Sequence, residues 1–120
     1  MPRRLILATL LLACALPLPA MAHAILLDSQ PGQGATVAPG PATLRLRFNS
    51  RIDAARSRVA LVAPGGMERV LPITHGEGPD VLSTPIDLAP GAQTLRWQVL
   101  AVDGHITRGE IRFTAKPPAP

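Results

Sequence analysis

Proline and glycine interrupt this chain so often that a long helix has no room to form. The 120 residues include 14 prolines and 10 glycines, and after residue 22 no stretch shows a sustained helical period of apolar residues. Short apolar runs instead end in turn-forming pairs such as Pro64-Gly65 and Pro90-Gly91. This spacing of prolines and glycines indicates many short strands joined by tight turns.

The clearest strands show a strict alternation of apolar and polar residues. One runs from Thr43 to Phe48, and the longest runs from Gln93 to Val102. All the aromatic residues fall on the inward phase of such strands and are predicted to pack in the core: Phe48, Trp97 and Phe113. The spacing of strands and turns predicts an all-β domain. We expect a small Greek-key β-barrel or sandwich, immunoglobulin-like, with about seven short strands.

Three segments have a less regular pattern. The pattern predicts an irregular or 3₁₀ turn over Ile52–Arg58. It also predicts a hairpin around Pro64-Gly65-Gly66, with Val59–Val62 and Glu68–Ile73 as its two strands. Val81–Leu88 contains Pro85, which cannot donate a hydrogen bond to a neighbouring strand. This strand is therefore expected at a sheet edge.

The first 22 residues have the composition of a secretory signal peptide. A basic start is followed by the apolar run Leu5–Ala13, too short for the roughly 20 residues of a membrane-spanning helix. Ala20-Met21-Ala22 is a small-x-small cleavage site. Two other export routes stay open: lipidation at Cys14, and twin-arginine export through Arg3-Arg4. The predicted organisation is a cleaved signal peptide (1–22), a folded domain (23–115) and a disordered tail (116–120).

Cleavage after Ala22 changes the charge and the thiol content. Two of the 12 basic residues precede that point and all 8 acidic residues follow it, so the net charge falls from +4 to +2. Cys14 is the single cysteine, so the mature chain has neither thiol nor disulfide. The small charge, with no basic stripe and no exposed aromatic residues, argues against nucleic-acid binding. No serine or cysteine lies in the context of a hydrolytic nucleophile.

Asp103-Gly104-His105 is the strongest candidate for chemistry. Residues i and i+2 of an extended chain point to the same side, and Gly104 lets the backbone adjust until both side chains meet. Alone, this motif is also compatible with an ordinary turn beside an exposed histidine.

His23 strengthens the case for a metal, because cleavage would make it the first residue. Its α-amine and its ring Nδ1 can then chelate one ion, and both nitrogens lose their protons near neutral pH. With His105 and Asp103 they make three nitrogens and one oxygen, a set that favours Cu(II). A histidine placed at the cleavage point by chance is the alternative.

Four segments carry a family resemblance: His23-Ala24, Ser29–Ala35, Leu44–Asn49 and Trp97–His105. Together they resemble the CopC family of periplasmic copper-resistance proteins. The resemblance covers about residues 23–115. It implies a Greek-key β-barrel in the periplasm that binds one Cu(II) per chain through His23, Asp103 and His105. It also implies a monomer that sequesters copper or hands it to an inner-membrane copper-transport protein of the CopD type.

The chain departs from those relatives that carry a methionine-rich Cu(I) loop. Met67 is its only methionine after residue 22, so a Cu(II)-only member is expected. His75 lies in a polar glycine-rich loop and is expected to be solvated, with an auxiliary metal contact as the alternative. Two other functions are compatible with a small β-sandwich. A histidine-brace oxidative enzyme is disfavoured because Asp103 would fill the position that oxygen needs, and a metal-free interaction module leaves His23 and the Asp103-Gly104-His105 motif unexplained.

Overall fold

A computed structural model describes residues 24–119, and every element in that range is a β-strand. The strands are β1 (Leu26–Gln30), β2 (Thr36–Val37), β3 (Gly40–Phe48), β4 (Ile52–Val62), β5 (Glu68–Leu71), β6 (Thr74–His75), β7 (Val81–Leu88), β8 (Gly91–Ala101) and β9 (Ile106–Ala115). No segment of residues 24–119 forms a helix with the length and hydropathy needed to cross a membrane.

The strands form two facing sheets. One has the order β1-β3-β7-β6 and the other the order β2-β9-β8-β4-β5. This is the immunoglobulin arrangement, since β1, β3, β7 and β6 correspond to strands A, B, E and D, and β9, β8 and β4 to G, F and C. The predicted all-β, immunoglobulin-like fold is confirmed as a sandwich whose sheets are not closed into a barrel. About seven strands were expected and nine are present in the described residues, two of them only two residues long.

The core lies between the sheets and follows the predicted alternation. Leu95, Trp97 and Val99 point inward from β8, and Phe113 points inward from β9. The rings of Phe48 and Trp97 meet edge to face, with centroids 5.3 Å apart. They connect β3 to β8, the same two strands that a disulfide joins in antibody domains. An aromatic contact therefore links the sheets without a thiol.

The prediction of a turn over Ile52–Arg58 was wrong, because β4 runs through the whole segment. Between Asp53 and Arg58 the pairing with β8 shifts and β4 bulges. Side chains hold the bulge: the Ser57 hydroxyl donates to the Asp53 carbonyl at 2.7 Å and accepts the Leu100 N–H at 3.0 Å. The bulge breaks the two-residue period, which explains why the sequence looks irregular there.

Pro85 lies where a strand without its N–H can be accommodated. The prediction that Val81–Leu88 forms an edge strand was wrong, because β7 is second from the edge of its sheet. Its outer neighbour β6 is short, however, and pairs only with Leu82 and Ser83. Among the described residues, Pro85 therefore has no β6 residue opposite it, and its missing N–H leaves no strand pairing with β6 unmade. The expected hairpin around Pro64-Gly65-Gly66 is present, with β5 paired antiparallel to the end of β4.

Candidate metal centre

Asp103, Gly104 and His105 form the turn between β8 and β9. The turn is closed at its base, because the N–H of Ala101 donates to the His105 carbonyl at 2.9 Å and the N–H of Gly104 donates to the Ala101 carbonyl at 2.9 Å. Gly104 has a φ of 96°, which side-chain-bearing residues rarely adopt. Glycine at this position therefore lets the chain reverse shortly after the end of β8.

The turn brings the two predicted ligands together. The His105 N–H donates to Asp103 Oδ1 at 3.1 Å, and His105 Nδ1 lies 3.2 Å from Asp103 Oδ2. Both side chains reach solvent, with 53% of His105 and 31% of Asp103 exposed. At this distance Asp103 Oδ2 can accept a hydrogen bond from the ring Nδ1–H of His105 and fix the orientation of the imidazole.

The same contacts change the acidity of the carboxylate. The backbone N–H of His105, and to a smaller extent its ring, stabilise the ionised form and lower the pKa of Asp103 from its ordinary value. Partial desolvation acts in the opposite direction and is outweighed. Asp103 is therefore ionised at neutral pH and available to a cation.

The beginning of the described chain is anchored at the same end of the sandwich. Ala24 is fully buried, and the N–H of Ile25 donates to Asn49 Oδ1 at 2.7 Å while the Asn49 N–H donates back to the Ile25 carbonyl at 3.0 Å. Two residues further on, the Arg51 carbonyl accepts the N–H of Val102 at 3.1 Å. The loop between β3 and β4 thus contacts both the residue after Ala24 and the residue before Asp103.

His23 lies outside the described residues, so its place in the site stays a prediction. Within residues 24–119 no three histidine, cysteine, aspartate or glutamate side chains are grouped closely enough to hold a metal ion. Asp103 and His105 are the two predicted ligands whose geometry is defined. The anchoring role of Asn49 was not recognised from the sequence, where its only signal is a polar side chain directly after an alternating strand.

The other two candidates have different surroundings. His75 forms part of β6, and its Nδ1 lies 3.3 Å from the Val81 carbonyl. The prediction that His75 lies in a loop was therefore wrong, and the loop begins after it. Glu77, in the loop between β6 and β7, pairs with Arg45. Met67 is 78% exposed in the hairpin between β4 and β5.

A family model supplies the identification. The model of the CopC domain matches residues 26–116. The chain belongs to the CopC family. Among the curated proteins, the CopC-family chain is 31% identical to Protein YobA of Escherichia coli K12 over 99 residues, covering 79% of this chain and 80% of YobA.

Solved structures of CopC-type proteins have the same fold. CopC from Methylosinus trichosporium OB3b superimposes with a TM-score of 0.73 at 28% identity, covering 82% of this chain and 98% of that protein. PcoC, described as a methionine-rich copper resistance protein from Escherichia coli, gives a TM-score of 0.65 at 22% identity, with 79% and 100% coverage. The likeness to PcoC supports the fold alone. The expected family resemblance is confirmed by the domain match.

Proposed function

We propose that the mature protein binds one Cu(II) ion per chain through the α-amine and ring of His23, the imidazole of His105 and the carboxylate of Asp103. The observation that carries this proposal is the Asp103–His105 pair, held with Nδ1 and Oδ2 3.2 Å apart at the end of β8. Membership of the CopC family supports copper as the metal. Three nitrogens and one oxygen suit the tetragonal geometry of Cu(II).

The arrangement around Asn49 supports a contribution from residue 23. Ala24, the first residue that the structure describes, is fully buried. Asn49 fixes Ile25, and the same loop contacts the residue before Asp103. The described chain therefore begins at the end of the sandwich that carries the turn, which supports the proposal that His23 takes part.

The proposed role is copper handling in the periplasm rather than catalysis. Residues 1–22 would direct export and be removed, giving a monomer in which residues 23–115 form the copper-binding domain and 116–120 a disordered tail. The protein would sequester Cu(II) or deliver it to an inner-membrane transport protein of the CopD type. Met67 is a single exposed thioether, so the chain lacks the cluster of soft ligands that would favour Cu(I).

Isothermal titration of the exported protein with Cu(II) tests the ligand set. His105→Ala should lower the affinity by at least about tenfold, because it removes a ligand and the partner that orients Asp103. His75→Ala is the matched control, since it removes the same side chain from an exposed strand on the other sheet. Equal losses in the two variants, or none in His105→Ala, would remove the basis for the proposal.

A further inference from the structure

The outer face of the five-stranded sheet carries an excess of positive charge. Alternation on β8 turns Leu95 and Trp97 inward and leaves Arg96 facing solvent. We call the outward-facing charged residues of this sheet the basic face: Arg58, Arg96, Arg108, Arg112, Glu68 and Glu110. Four arginines thus oppose two glutamates, whereas the rest of residues 24–119 holds six cationic and six acidic side chains. The net charge of the domain is therefore concentrated on this one surface.

Two of the four arginines on the basic face lack a carboxylate partner. Arg96 lies between Glu68 at 3.7 Å and Glu110 at 3.1 Å, and Arg112 also approaches Glu110 at 3.6 Å. Arg108 donates only to the neutral amide oxygen of Gln98, at 2.9 Å. Within the described part of the chain, the Arg58 side chain has no hydrogen bond or ion pair. The two uncompensated guanidiniums are thus Arg58 and Arg108.

Both of these arginines line one pocket. The cavity has a volume of about 300 Å³ and is lined by Arg58, Arg96 and Arg108 together with Glu68, Gln98 and Glu110. Register places Arg58 opposite Gln98, and Gln98 opposite Arg108, in one row across three strands. With neighbouring strands about 4.8 Å apart, the two outer Cα atoms are separated by roughly 10 Å.

We propose that this pocket binds carboxylate side chains of an acidic, extended segment of a partner protein. Residues i and i+2 of such a segment point the same way and lie roughly 7 Å apart. The long side chains of Arg58 and Arg108 can close the remaining distance and bind one carboxylate each. Guanidinium groups suit this task, because their paired N–H groups match both oxygens of a carboxylate.

The glutamates favour a protein segment over a membrane surface. Glu68 and Glu110 line the same pocket as the arginines. A layer of anionic lipid headgroups would bring negative charge against both glutamates as well as against the arginines. An extended peptide can place its carboxylates at Arg58 and Arg108 and present other groups to the glutamates. The proposal concerns a surface formed without the predicted copper ligands, so it is independent of metal binding.

Fluorescence anisotropy with a labelled hexaglutamate peptide tests the proposal on the exported full chain. We expect saturable binding that weakens as salt is raised, because the pairs are partly solvated. Arg58→Ala combined with Arg108→Ala should weaken binding by at least about tenfold, since it removes both charge-assisted contacts. The matched control combines Arg51→Ala with Arg69→Ala, which removes the same charge from exposed positions outside the pocket.

Circular dichroism and Cu(II) titration would verify that both double variants keep the fold. A loss confined to Arg58→Ala/Arg108→Ala supports the pocket. Equal losses in the two double variants would overturn it, because they would indicate a response to overall charge alone. No binding of hexaglutamate at millimolar concentration would overturn it too, as would binding only to vesicles that contain phosphatidylglycerol.

Discussion

Gly109→Ala tests whether the packing of Trp97 depends on the absence of a side chain opposite it. Gly109 pairs with Trp97 across β8 and β9, and the indole ring covers the glycine. A methyl group at Gly109 would lie 2.6 Å from Trp97 Cε2 and 2.9 Å from Nε1, much closer than real contacts allow. The ring cannot retreat easily, because it contacts the buried ring of Phe48. The substitution therefore overfills the core.

The expected cost is in the upper range for overpacking, about 2–3 kcal/mol. For a domain of this size that corresponds to a melting temperature lower by about 10–20 °C. Urea unfolding followed by circular dichroism measures the free energy directly. Gly32→Ala is the matched control: its methyl group would meet only the Ser29 carbonyl oxygen, at 3.8 Å. That variant should be unchanged or more stable by up to about 1 kcal/mol.

A double-mutant cycle separates the clash from other effects. In a Trp97→Leu background, where the ring is absent, Gly109→Ala should cost less than about 1 kcal/mol. A cost that stays the same in both backgrounds would refute the assignment of the clash to Trp97. A neutral Gly109→Ala in the parent protein would refute the packing argument as a whole.

Three further predictions concern the turn and its proposed metal. Gly104→Ala should destabilise the protein by about 1–2 kcal/mol because of its φ of 96°, and should weaken Cu(II) binding, both measurable by chemical unfolding and titration. Because the pKa of Asp103 is lowered in the folded protein, its carboxylate stabilises the fold above about pH 4, and this stabilisation is lost as the pH falls through the lowered pKa. A carbon-13 NMR titration of the Asp103 carboxyl group measures that pKa. In His105→Ala the pKa should return only part of the way to its ordinary value, since the backbone N–H of residue 105 remains. Cu(II) at about 100 times its Kd should raise the unfolding free energy by about 2.7 kcal/mol, and a chelator should reverse this in a thermal melt.

The fold could be predicted well where the two-residue period is unbroken. Leu95, Trp97 and Val99 are buried as their alternation indicates. The bulge at Asp53–Arg58 could not be predicted, because side-chain hydrogen bonds replace part of the strand pairing there. The same alternation fits a closed barrel and an open sandwich, so the sequence could not choose between them.

The candidate site could likewise be predicted where it depends on residues close together in the sequence, and could not where it depends on contacts between distant segments. Asp103 and His105 meet because they are two residues apart around a glycine, which the sequence displays directly. The link through Asn49 joins segments that are distant in the chain, and no local pattern encodes it. The uncompensated arginines of the basic face depend on strand register for the same reason. The contribution of His23 remains a prediction.

A Cu(II) titration of two chains tests the central claim most directly, both beginning at His23 and one of them acetylated at its α-amine. Acetylation keeps both imidazoles and Asp103 but removes the α-amine as a ligand. The proposal predicts that affinity falls by at least about tenfold and that the electron paramagnetic resonance spectrum loses one nitrogen ligand. Unchanged affinity and an unchanged spectrum would contradict the proposal.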